Sequence, residues 1–170
     1  MGVGGASTAP AVRLSIIAVG KPRRLLGEAI AEYELRAARY WSLAVDIVRE
    51  EPARSATEVQ VCEREGERLL SRLPSSATVV VCDECGRDFT SAQFAAWLSE
   101  RRDSSQDVAF VIGGAYGLSS AVRERATLSL ALAPWTLPHE MARLVLAEQL
   151  YRAGTILRGE PYHKIGSRNE

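Results

Sequence analysis

Gly113, Gly114 and Gly117 stand directly after the apolar run Val108-Ala-Phe-Val-Ile112 and before Ser119-Ser120. The run reads as a buried strand. Glycines at its end permit φ > 0 and let a ligand approach the backbone with no Cβ in the way. Ser119 or Ser120 can cap a helix that starts near Ala121. Strand, glycine turn and helix, in that order, mark where α/β proteins bind ligands. A plain tight turn has the same Gly-Gly. Two more strand ends carry unusual turns, Cys82-Asp-Glu-Cys-Gly86 and Ala133-Pro-Trp-Thr-Leu-Pro138. If the strands are parallel neighbours, all three loops gather at one sheet edge. A cleft of backbone donors and acceptors there suits an adenine and ribose better than a metal.

The other chemistry-bearing residues are harder to assign. Cys82-x-x-Cys85 is half a zinc site, and Cys62, His139 and His163 supply no second pair at ligand spacing, so no metal is expected. A redox pair normally opens a helix, whereas this one closes a strand, and packing is the plainer role. The glycine turn lacks the Gly-x-Gly-x-x-Gly form and the acidic residue about 20 positions on, which argues against a nicotinamide site. His139 and Arg143, and Glu148 and Arg152, lie four apart on shared faces of the last helix. They read as ordinary ion pairs, or as a polar site if the helix start at His139 binds a phosphate or carboxylate. Tyr162, His163 and Lys164 offer a stacking face, a proton site and a phosphate contact, or simply pack the helix end.

These groups need a frame. Strands are expected at 13–19, 43–48, 78–82, 108–112 and 128–132, and helices at 25–40, 57–73, from Thr90 through Leu98, near 121–126 and at 139–156. Alternating strands and helices predict an α/β fold with a largely parallel sheet. The 170 residues fit one domain, which buries roughly 70% of its unfolded surface without a disulfide or metal. Formal net charge is zero, so any surface for nucleic acid must be local. Residues 1–11 read as a disordered tail with no secretory signal, and no apolar run reaches transmembrane length. Three cysteines then point to a reducing cytoplasm.

Five segments taken together resemble the rRNA large subunit methyltransferase H family. They are Val-Arg-Leu-Ser-Ile-Ile-Ala-Val-Gly-Lys at 12–21, Val-Ile-Gly-Gly-Ala-Tyr-Gly-Leu at 111–118, Thr-Leu-Pro-His at 136–139, Leu-Ala-Glu-Gln-Leu-Tyr-Arg-Ala at 146–153 and Pro-Tyr-His-Lys at 161–164. The resemblance covers about 12–164 as a single domain, with 1–11 and 165–170 as extensions. It implies a SPOUT fold, a sheet whose C-terminal part is tied in a trefoil knot, and a homodimer. It also implies S-adenosylmethionine as methyl donor and methylation of N3 of a pseudouridine (position 1915) in the helix 69 hairpin of 23S rRNA, on assembled ribosomes.

Carried over by position, the cofactor contacts fall at Cys82, Gly113, Gly114, Ala133, Pro134, Trp135, Thr136, Leu137 and Pro138. The resemblance places His163 and Glu148 as candidate bases, Arg143 as a charge-stabilising group and Tyr162 as the stacking ring. His139, Arg152, Lys164, Lys21 and Arg23 are then RNA contacts, with His139 a further candidate base. Many relatives carry a lysine-rich stretch where this chain has Glu50-Glu-Pro-Ala-Arg-Ser-Ala-Thr57. Two other readings stay open: a SPOUT methyltransferase of another RNA such as tRNA, and a ribosome-binding factor without catalysis.

Overall fold

Alternation along the strands sorts the core into two layers. The structure, a computed structural model, describes residues 12–163. The strands β1 (Arg13–Val19), β2 (Ser42–Val48), β3 (Thr78–Asp88), β4 (Val108–Ile112) and β5 (Leu128–Ala131) form one sheet in the order β2-β1-β4-β3-β5. Every neighbouring pair is parallel. Leu14, Ile16, Val80, Phe110 and Ile112 face one side. There they meet α1 (Arg24–Ala37), α3 (Ser91–Asp103) and α5 (His139–Leu157) through Ala37, Leu98, Leu146 and Leu150. Ile17, Val19, Val79, Val81 and Val111 face the other side, against Leu69 of α2 (Glu58–Leu70) and Val122 of α4 (Ser120–Arg125). The centre of the sheet is β4, buried at all five positions, so its apolar run has no polar face.

Local chemistry sets the helix starts. Thr57 and Thr90 each close a capping box with the glutamine three residues on, Gln60 and Gln93. Ser119 caps α4 through the Val122 N–H. The helix α1 ends at Ala37, short of the Tyr40 that its periodicity predicts. Residues 38–41 turn away in bonds back to residues 34–37, and the Trp41 indole N–H then donates to the Leu150 carbonyl at 2.9 Å. Strand β3 runs six residues past the predicted Cys82, because the pairing with β5 slips: Leu130 faces both Cys82 and Arg87. Asp83–Gly86 forms the bulge, with the Cys85 N–H held by Asp83 Oδ1 at 3.0 Å. Cys82-x-x-Cys85 therefore sits inside a bulged strand and not in a loop beyond it.

Candidate active site

At the carboxyl ends of β3, β4 and β5 lies a cavity of 1010 Å³. Its walls include Cys82, Gly113, Gly114, Ala133, Trp135, Thr136, Leu137 and His139. The three loops expected to gather do so. Of the proposed cofactor contacts, Pro134 and Pro138 stand outside the lining, and Pro138 is the N-cap of α5.

The glycine turn is tight for two different reasons. A Cβ on Gly113 would sit 2.6 Å from the Gly117 carbonyl oxygen, and one on Gly114 would collide with the Glu65 carboxyl. Only Gly117 takes a positive φ, +81°, and its N–H closes the turn on the Gly114 carbonyl at 3.1 Å. The thiol of Cys62, on α2, donates to the Gly117 carbonyl at 3.6 Å from inside the cavity wall. Sequence reading weighed Cys62 only as a metal ligand and named Asp83 only as part of the Cys82–Gly86 turn, and it did not pick out Arg123. The last two form an ion pair over the cavity, with the Asp83 side chain 7% exposed. They are 40 positions apart, and nothing in either segment marks them as partners. Glu58, Glu63, Glu67, Glu84 and Glu124 complete a rim in which Arg123 is outnumbered, so the mouth favours a cationic ligand.

Burial pushes the Cys82 thiol up to about 12 and raises that of Cys62, while Cys85 is exposed. Both wall cysteines are therefore protonated and poorly nucleophilic at neutral pH. A thiol reagent at about pH 7 labels exposed Cys85 first in the folded protein, and the partly buried Cys62 and Cys82, with their raised thiols, much more slowly. Peptide mapping after a timed pulse reads this. Rapid labelling of Cys82 without denaturant would mean that the bulge opens.

The polar residues of α5 divide between two places. His139 is at the cavity, with Nε2 3.6 Å from Glu50 Oε1. Arg143 is buried instead in a bidentate pair with Glu34 of α1, at 2.7 and 3.1 Å. Glu148 lies nine residues beyond His139, about 13 Å along the axis and half a turn round the helix. It accepts from Arg152 at 3.0 and 2.5 Å, from Gln149 at 2.7 Å and from the Tyr162 hydroxyl at 3.1 Å. Tyr162 packs on Tyr151, ring centroids 4.5 Å apart, under the Arg152 guanidinium. Burial, Tyr33 and Glu148 hold the Tyr162 hydroxyl above the ordinary phenol range, so it stays protonated. His163 is half-buried beside it, and its Nδ1 has no partner among the described residues. Residues 158–163 thus fold back on α5. Lys164 lies outside the described residues. Lys21 is exposed, and the Arg23 N–H bonds Glu140 Oε1 at 3.2 Å, which ties the basic loop to the first turn of α5 beside His139.

Among the described residues no three His, Cys, Asp or Glu side chains gather as a metal site, and no helix is long and apolar enough to cross a membrane. A family model described as Predicted SPOUT methyltransferase matches residues 12–163. The chain is 60% identical over 154 residues to the ribosomal RNA large subunit methyltransferase H of Gemmatimonas aurantiaca, covering 90% of this chain and 100% of that one. It is 47% identical to the protein of the same name from Anaeromyxobacter sp., with the same coverage. Among solved structures, the tRNA (m1G37) methyltransferase of Aquifex aeolicus superposes with a TM-score of 0.50 at 12% identity, over 93% of this chain and 78% of that one. That likeness is one of fold.

Proposed function

The chain belongs to the SPOUT methyltransferase family, and on that premise we propose that it methylates N3 of a pseudouridine in the helix 69 hairpin of 23S rRNA, on assembled ribosomes in the cytoplasm, with S-adenosylmethionine as donor. The observation that carries the reading is the cavity. It joins a backbone-walled glycine turn, a proline-bracketed loop and an acidic rim at one sheet edge. Its volume accommodates a nucleoside with an amino-acid chain, its glycines leave the backbone bare to a flat base, and its rim suits a sulfonium cation. Large-subunit rRNA as substrate is supported by the two relatives named for that activity.

S-adenosylmethionine supplies a methyl group already activated on sulfur. The residues of the chain must then hold the target base in line and accept the N3 proton, since a protonated uracil nitrogen is a poor nucleophile. Glu148 is already saturated by Arg152, Gln149 and Tyr162. It serves best as the anchor of that cluster, whereas the Nδ1 of His163 is buried beside Tyr162 and carries no hydrogen bond among the described residues, which leaves that nitrogen uncommitted. We therefore assign the proton acceptor to His163, stacking to Tyr162, and phosphate or oxygen contacts to Arg152, with Lys164, Lys21 and Arg23 on the RNA. The α5 cluster lies too far round the helix to reach the cavity of its own chain. A second copy that brings its α5 and tail to the cavity completes the site, which supports a homodimer.

The test is incubation with labelled S-adenosylmethionine and ribosomes that lack this methyl group, with and without the pseudouridine. Label in 23S rRNA only when the pseudouridine is present is the expected result. Label in tRNA alone would move the target to another RNA. Cofactor binding with no label anywhere would discard the rRNA target, and no binding at all would favour a binding factor without catalysis.

A further inference from the structure

Behind the glycine turn, on the side away from the cavity, lies a carboxyl group that the chemistry above does not use. Glu65 of α2 is 4% exposed. Its Oε1 accepts the Glu51 N–H at 3.0 Å, while Oε2 is buried with no hydrogen-bond partner and faces the point where a Gly114 Cβ would stand. Val19, at the end of β1, closes the same contact from beneath. Nearby, the Nε2 of His139 is also buried without a hydrogen bond, 3.6 Å from Glu50 Oε1.

The charges around Glu65 come from three elements. On the segment after β2, Glu50 faces it, while the carboxylate of Glu51 is taken by Arg64 and Arg68. Arg68 and Cys62 lie on its own helix, and His139 lies on α5. Its carboxyl is held above the usual range, first by burial and then by Glu50, against the pull of the Glu51 N–H, Arg68 and His139.

We propose that Glu65 is a positioning residue for the cofactor: its buried carboxyl closes the back of the Gly113–Gly114 turn and, with Glu50, sets the imidazole of His139 at the cavity wall. A neutral carboxyl can pack against the turn. An ionised one leaves a buried charge whose Oε2 has no partner, and that cost is relieved by moving the turn or the first residues of α5. The inference rests on S-adenosylmethionine being the ligand of the cavity.

Titration calorimetry with S-adenosylmethionine, on the full chain from about pH 5 to about pH 9, tests it. Wild-type affinity falls about tenfold as pH rises, the size of one mispositioned hydrogen-bonding group. Glu65→Gln, a neutral carboxyl mimic, binds as wild type does at acid pH and holds that affinity to alkaline pH. The melting temperature without ligand gives a second reading. A carboxyl raised in the folded state stabilises fully below its unfolded value and loses that contribution as pH climbs through the folded one, so wild type loses ground to Glu65→Gln as pH rises. A Glu65→Gln variant with the wild-type pH dependence in both measurements overturns the proposal and leaves the cofactor assignment standing. Wild type that binds no S-adenosylmethionine at any pH overturns both.

Discussion

Arg143→Met lowers the free energy of unfolding by about 3–5 kcal/mol, and urea unfolding reads the loss directly. The guanidinium and the Glu34 carboxylate are 9% and 15% exposed and meet edge to edge through two hydrogen bonds. Removing the cation alone leaves a largely buried carboxylate between α1 and α5 without its partner. The double variant Glu34→Leu, Arg143→Met removes both charges from the same apolar contact, and most of the stability returns. The pair of variants also decides what Arg143 is for. The family resemblance places it among the groups that act on RNA. In the structure it ties α5 to Glu34 of α1, and α5 carries His139 at one end and the Glu148 cluster beyond. Methyl transfer by the double variant within about tenfold of wild type fits that role, whereas a loss of about 10²-fold or more in a stable double variant returns Arg143 to the chemistry.

The same residue shows where sequence reading stops. Spacing four along a helix put Arg143 with His139, and both sit on α5 as expected, but the partner that determines its state is Glu34, 109 positions away. Strands were legible because each apolar run, Val108–Ile112 above all, has a length and β-branching that a helix would not select. The meeting of the three strand-end loops was expected only if their strands were parallel neighbours, which the order β4-β3-β5 makes them. Cys62, Asp83, Arg123 and Glu65 were not legible, since their roles arise where α2 and α4 cross the sheet edge, a contact no local period encodes. The β3 bulge was hidden for a like reason, as Asp83–Gly86 reads as a turn until Leu130 is seen to pair on both sides of it. The tail was the converse case. Pro161-Tyr-His is too specific for a free end, and Tyr162 does dock, on Tyr151 and Glu148.

Gly113→Ala raises the dissociation constant for S-adenosylmethionine by about 10–100-fold, the equivalent of the 1–3 kcal/mol that an overpacked site costs. Its Cβ would meet the carbonyl oxygen and carbon of Gly117 at 2.6 and 2.8 Å, and Leu118 Cδ2 at 3.0 Å. Two of those three atoms are backbone, so no rotamer change makes room. The turn itself must open, and the turn is the cavity wall. Gly117 is the control, because its demand is conformational. It has open space around a would-be Cβ, with Arg123 Nη2 at 4.0 Å the nearest atom, but it holds φ at +81°. Asparagine tolerates the left-handed region better than other side chains. Gly117→Asn therefore keeps affinity within about threefold of wild type, below one lost hydrogen bond, whereas Gly117→Val loses stability and affinity together. If Gly113→Ala binds as wild type does while remaining folded, the wall has slack that this geometry denies, and the cofactor then rests on the Ala133–Pro138 loop instead. If Gly113→Ala and Gly117→Asn weaken binding equally, the turn acts as one flexible unit, and close approach of the backbone is not what the glycines supply.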